Sequence, residues 1–151
     1  MNRIMFVCHG NICRSPCAEF VMKKLVKEAG TEKDFLIRSS ATSTEEIGNP
    51  VYPPMQKELA AHGISCKGKY AVQLRRSDYG EYDLFLVMDD WNLLNIRSIF
   101  HDDSERKIHK LLSFAGSDAD ISDPWYTRDF SAAYNDIYKG CRALFDELSK
   151  R

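Results

Sequence analysis

The sequence predicts an α/β fold: a four-stranded parallel sheet with helices on both faces, in one domain spanning residues 1–151. Three observations carry this. Short apolar runs recur at Ile4–Val7, Phe35–Ile37, Asp83–Met88 and Lys107–Leu112, each too short for a helix and flanked by polar or turn-forming residues. Segments with apolar residues three and four apart lie between them, so strand and helix alternate, and strands joined through helices run parallel. Finally, 151 residues with a hydrophobic fraction of 44% suffice for one real core.

Taken in order, Ile4–Val7 reads as a buried strand. Ser15-Pro16 then opens a helix, with serine as the cap and proline at the first helical position. Ala18, Val21, Met22, Leu25 and Ala29 continue it, and Gly30 closes it. The second strand, Phe35–Ile37, runs into Ser39-Ser40-Ala41-Thr42. A turn at Asn49-Pro50 to Pro54 precedes a helix through Met55, Leu59 and His62, stopped by Gly63. Asp83–Met88 is the third strand, and Asp89 or Asp90 caps a helix through Leu93, Leu94 and Ile96. After the fourth strand, residues 115–127 read as a loop rich in Asp, Ser and Gly. Phe130, Ala133, Tyr134, Ile137, Cys141, Leu144, Phe145 and Leu148 form one apolar stripe on a final helix packed on the core.

Composition narrows the function. The net charge of −1 gives no global attraction for nucleic acid or an anionic membrane, so any affinity for an anion is local. No apolar segment approaches the ~20 residues of a membrane span. Met1-Asn2-Arg3 leads into too few apolar residues for a signal peptide, which predicts a cytoplasmic protein. Five cysteines, an odd number without secretory context, are expected to be reduced.

The chemistry is concentrated in Val7-Cys8-His9-Gly10-Asn11-Ile12-Cys13-Arg14-Ser15-Pro16, at the carboxyl end of the first strand, where ligands of open α/β sheets bind. Consecutive backbone N–H groups from His9 to Arg14 can converge on an anion, and the following helix adds its positive end. Gly10 and Asn11 accept the positive φ angles of a tight cradle. Arg14 offers a planar fork for two phosphate oxygens. The same field favours the thiolate of Cys8, a nucleophile and a tolerable leaving group, with the Ser15 hydroxyl placed to donate to it. A zinc site of Cys8, His9 and Cys13 lacks a fourth ligand at ordinary spacing, and no Gly-Lys-Ser/Thr follows to make a nucleotide loop. The sequence calls for neither a metal nor a cofactor.

This loop, continued by Ala18-Glu19, resembles the signature of the low-molecular-weight protein tyrosine phosphatases. The resemblance extends through residues 39–50, Met88-Asp89-Asp90-Trp91-Asn92 and Asp123-Pro124-Trp125-Tyr126. It implies a metal-independent hydrolase of phosphotyrosine with Cys8 as nucleophile, Arg14 binding the phosphate and transition state, and Asp123 as general acid and base. Without the resemblance, Asp118, Asp120 and Asp129 compete with Asp123. It implies further that His9 to Cys13 and Ser15 contact the substrate, that Trp125 and Tyr126 wall the pocket, and that Asn11, Ser15 and Ser39 support the loop. By the same likeness, Cys13 forms a reversible disulfide with Cys8. Tyrosine-phosphorylated proteins or peptides are the implied partners, phosphate and vanadate the competing ligands, and a monomer the expected state.

The chain departs from the family in two places. Glu45 stands where members often carry Trp or Tyr, so Glu45 and Glu46 should disfavour acidic residues around the phosphotyrosine. No histidine follows Gly63-Ile64-Ser65, where members often have one that supports the loop. Two enzyme rivals use a similar loop. Protein arginine phosphatases tend to carry Thr at the position of Ile12, and thioredoxin-coupled arsenate reductases need cysteines that residues 70–90 lack. A catalytically silent phosphopeptide-binding module would not need both Cys8 and Asp123.

Overall fold

In the computed structural model, which describes residues 1–151, four parallel strands form one sheet in the order β2-β1-β3-β4. They are β1 (Asn2–Cys8), β2 (Phe35–Ala41), β3 (Leu84–Val87) and β4 (Ile108–Lys110). The pairing aligns Cys8 with Ala41 and Val7 with Val87. The strand order reverses direction between β1 and β3, so the carboxyl ends of these two strands define the crevice where such sheets bind ligands. Cys8 ends one of them and Asp89 lies just beyond the other.

Side-chain alternation along β1 divides the core. Ile4, Phe6 and Cys8 face α1 (Arg14–Glu28) and α6 (Phe130–Ser149), within the larger apolar cluster. Met5 and Val7 face the other way, towards Phe85, Val87, Ile96 and Phe100, under α4 (Asp90–Phe100). Fully burying side chains such as Phe6 and Phe85 stabilises the fold by about 1.5–3 kcal/mol each. The final helix buries Ala133, Tyr134, Ile137, Cys141, Leu144, Phe145 and Leu148, the stripe expected from its periodicity. Gly140 lies on the same face: a Cβ there would sit 2.6 Å from Leu111 Cγ, so only glycine allows this approach. α2 (Pro53–Ala61) packs on α6, with His62 stacked on Tyr134 at 3.8 Å between ring centres.

Several expectations need correction. α1 begins at Arg14, and Ser15 makes no cap bond because its hydroxyl is engaged by Cys8 and Asn11. The third strand is confined to Leu84–Val87, since Asp83 is turned outward to pair with Arg3 and Met88 N–H is taken by Asn92. The fourth strand stops at Lys110, where a 3-10 turn over Leu111–Ala115 takes over. Two four-residue helices, α3 (Asp78–Glu81) and α5 (Pro124–Thr127), were not foreseen, and the second interrupts the expected loop. No helix is long and apolar enough to cross a membrane.

Candidate active site

The segment from Cys8 to Arg14 must turn from strand to helix within a few residues. Asn11 takes a φ of 58°, a conformation that asparagine tolerates better than most residues. Two outward anchors hold the turn: Thr42 N–H donates to the Cys8 carbonyl (2.9 Å), and Ser43 donates to the His9 carbonyl through N–H (3.1 Å) and Oγ (2.9 Å). Tyr52 N–H donates to the Ile12 carbonyl (2.7 Å). The carbonyls are thus bonded outward. The backbone N–H groups of His9 to Arg14 have no hydrogen-bond partner within the protein, although Asn11, Ile12, Cys13 and Arg14 are buried. Buried N–H donors are rarely left unpaired, so such a run is built for an acceptor from outside the chain.

These donors flank a cavity of about 350 Å³ lined by Cys8, His9, Gly10, Ile12, Cys13, Arg14, Glu45, Glu46, Asp123, Trp125 and Tyr126. At its floor, Cys8 Sγ lies 2.9 Å from Ser15 Oγ and accepts from Ser15 N–H at 3.4 Å. Arg14 is almost wholly buried, and its Nη1 donates to Asp89 Oδ2 (2.7 Å) and to the Ile121 carbonyl (2.8 Å). Burial works against the guanidinium charge, but Cys8, Asp89 and Asp123 outweigh it and raise the pKa above its ordinary value. Arg14 is therefore a permanent cation pinned beside the sulfur.

Asp123 divides its two oxygens. Oδ1 accepts from Trp125 N–H (3.0 Å) and caps α5, while Oδ2 lies 3.5 Å from Arg14 Nη2. Pro124 starts α5 and fixes the direction in which Trp125 and Tyr126 leave it. The Trp125 ring packs on Tyr52 at 4.9 Å, and Tyr126 is 81% exposed at the rim. Opposite them, His9 Nε2 and Glu45 Oε2 are 2.6 Å apart, and Asn49 donates to Glu46 Oε2 (2.6 Å).

Beneath the loop, Asn11 Nδ2 donates to both Ser15 Oγ (2.8 Å) and Ser39 Oγ (3.0 Å). The expected floor, walls and supports therefore meet in one place. All five cysteines are free. Burial, reinforced by repulsion from Cys8 and Asp123, pushes the Cys13 thiol far above its ordinary pKa. No cluster of three or more His, Cys, Asp or Glu side chains is arranged to hold a metal. Asp118, Asp120 and Asp129 lie outside the cavity lining: Asp120 pairs with Lys110, and Asp129 caps α6.

Sequence reasoning missed the roles of four residues. Asp89 was expected only as a helix cap, yet its place at the carboxyl end of β3 already set it beside the crevice. Tyr52 backs the Trp125 wall from α2's N-cap, a long-range contact that no local pattern announces. Glu19 and Lys69 meet Ser39 below the loop.

The family model described as low molecular weight phosphotyrosine protein phosphatase matches residues 3–151. The low molecular weight protein-tyrosine-phosphatase YfkJ of Bacillus subtilis is 35% identical over 99% of this chain and 97% of its own. PtpA of Staphylococcus aureus is 33% identical over 97% and 94%. The YfkJ crystal structure superposes with a TM-score of 0.95 at 34% identity, covering 99% of this chain and 96% of that one. With a family model that spans nearly the whole chain and relatives above 30% identity over nearly all of it, the protein belongs to the low molecular weight phosphotyrosine protein phosphatase family of hydrolases.

Proposed function

We propose that the protein hydrolyses phosphotyrosine monoesters on proteins or peptides by two transfers at one phosphorus atom. In the first, the Cys8 thiolate forms a sulfur–phosphorus bond as the bond to the tyrosyl oxygen breaks, and Asp123 gives its proton to that oxygen. In the second, Asp123 takes a proton from a water whose oxygen attacks phosphorus. The sulfur–phosphorus bond breaks, leaving inorganic phosphate and the Cys8 thiolate. The Arg14 fork and the His9–Arg14 N–H groups bind the equatorial oxygens, whose charge they stabilise in both transition states.

The observation that carries this reading is the run of unpaired backbone donors around Cys8, closed by the pinned Arg14. Asp123 fits the acid because one of its oxygens is directed to Arg14 inside the cavity, whereas Asp118, Asp120 and Asp129 lie outside. A tyrosyl leaving group fits because the ring can lie against Trp125 and Tyr126, with apolar Ile12 in the same lining.

Leaving-group dependence tests the assignment. Asp123→Ala should slow hydrolysis of phenyl phosphate far more than that of p-nitrophenyl phosphate, whose leaving group needs little protonation. Equal losses on both substrates would remove Asp123 from the proton transfer.

A further inference from the structure

Below the loop lies a buried charged group that the two transfers do not use. Glu19, on α1, is 3% exposed. Its Oε1 accepts from Ser39 Oγ (2.5 Å) and its Oε2 from Lys23 Nζ (2.5 Å). Lys69 enters from the segment after α2, with its side chain also largely buried. Its Nζ donates to the Ser39 carbonyl (3.0 Å) and lies 3.7 Å from Glu19 Oε1. Burial draws the Lys69 pKa down, while Glu19 and, more weakly, Cys8 draw it up against Lys23.

With Cys8 as the thiolate of the proposed reaction, the hydrogens in this network fall into one order. Val72 N–H is a donor and bonds Asn11 Oδ1 (3.1 Å), so the Asn11 amide nitrogen must face the two serines. Both serine oxygens then accept from Asn11. The Ser39 proton goes to Glu19, and the Ser15 proton is left for Cys8 Sγ. In this order Glu19 is the acceptor for the Ser39 proton, and the Lys23 and Lys69 ammonium groups face its two oxygens at 2.5 and 3.7 Å.

We infer that Lys69 and Glu19 are a positioning pair for the Cys8 loop, fixing through Ser39 and Asn11 the direction in which the Ser15 hydroxyl donates to the sulfur. The inference rests on Cys8 being the nucleophile. Lys69 takes over, through its bonds to Ser39 and Glu19, the supporting place for which the sequence offers no histidine.

The test uses the whole chain with Lys69→Met and Lys69→Arg. It measures kcat and KM for p-nitrophenyl phosphate, the rate at which iodoacetate alkylates Cys8 at mildly acidic pH, and thermal stability. Lys69→Met should lower kcat by about ten- to a hundredfold, the scale of a misplaced reacting group, with a smaller change in KM. It should slow alkylation, and Lys69→Arg should recover most of both. A folded Lys69→Met that keeps wild-type kcat and alkylation rate overturns the inference. If Lys69→Met does not fold, Ser39→Ala breaks the same chain at a neutral residue and must slow alkylation; an unchanged rate overturns it equally. Cys8→Ser separates the two levels: turnover that survives it defeats the site assignment, whereas Cys8-dependent turnover indifferent to Lys69 defeats only this inference.

Discussion

Arg14 Nη1 and Asp89 Oδ2 are bonded at 2.7 Å, although Arg14 opens α1 and Asp89 closes the turn after β3. The same carboxylate caps α4, with Oδ1 accepting from Asn92 N–H at 2.7 Å. One residue therefore ties the phosphate fork to the two central strands and starts the helix on the opposite face.

Asp89→Asn separates these duties. Asparagine caps a helix as well as aspartate does, so thermal stability should hold, but the charge opposite Arg14 is gone. The expected loss in kcat/KM is about tenfold, or ~1.4 kcal/mol of transition-state stabilisation. Asp89→Ala should add a loss of about 1 kcal/mol in stability through the missing cap. Wild-type kcat/KM in Asp89→Asn would show that Arg14 is held well enough by the Ile121 carbonyl alone.

The mouth of the cavity should select by charge. Glu45 and Glu46 line it, and His9 engages only Glu45. Phosphotyrosyl peptides with acidic neighbours should therefore be poorer substrates than those with basic ones, and added salt should narrow the gap. Glu45→Tyr should improve kcat/KM for the acidic peptides by removing a charge and adding an aromatic wall. Unchanged ratios between acidic and basic peptides would rule out the mouth as the selector.

Cys13 is a buried neutral thiol in the same loop as Cys8. Peroxide should convert Cys8 to a sulfenic acid, which condenses with the Cys13 thiol to a disulfide and water. Cys13→Ser should keep most of its activity but regain less of it when a thiol reductant follows peroxide. Equal recovery in the two proteins would leave Cys13 a packing residue.

A pH prediction concerns stability, away from the site. Arg3 and Asp83 join the start of β1 to the start of β3 through a 2.9 Å ion pair and backbone bonds, Arg3 N–H to Asp83 Oδ2 and Asp83 N–H to the Arg3 carbonyl. The Arg3 side-chain bond holds the Asp83 pKa below its ordinary 3.8. Between the two values the unfolded chain binds more protons, so the contribution is full above 3.8 and fades as pH falls through the folded value. The difference in Tm between wild type and Asp83→Asn should be constant from neutral pH down to about 5 and close only in strong acid. A gap that closes near neutrality would point to another group.

What the sequence revealed follows the range of the interaction. β1, the α1 stripe and α6 were legible because each depends on local periodicity and on burial along one face. The phosphate loop was legible because its donors, arginine and sulfur are neighbours in the chain. α3 and α5 were not, since four residues cannot display a helical period. Ser15 was misjudged as a cap because a serine before a proline looks the same whether its hydroxyl meets a backbone N–H or a distant sulfur. Lys69 and Glu19 stand fifty positions apart, and only the pairing of β1 with β2 brings Ser39 between them.

The central claim is that phosphorus is transferred to Cys8. Acid quenching during turnover of a phosphotyrosyl peptide, followed by mass spectrometry of the digested protein, reads this directly. The account predicts one phosphoryl group on the peptide containing Cys8, with more of it in Asp123→Ala when p-nitrophenyl phosphate is the substrate, because loading then outpaces hydrolysis. Rapid turnover in Cys8→Ser, or a phosphoryl group found on another residue and never on Cys8, would contradict it.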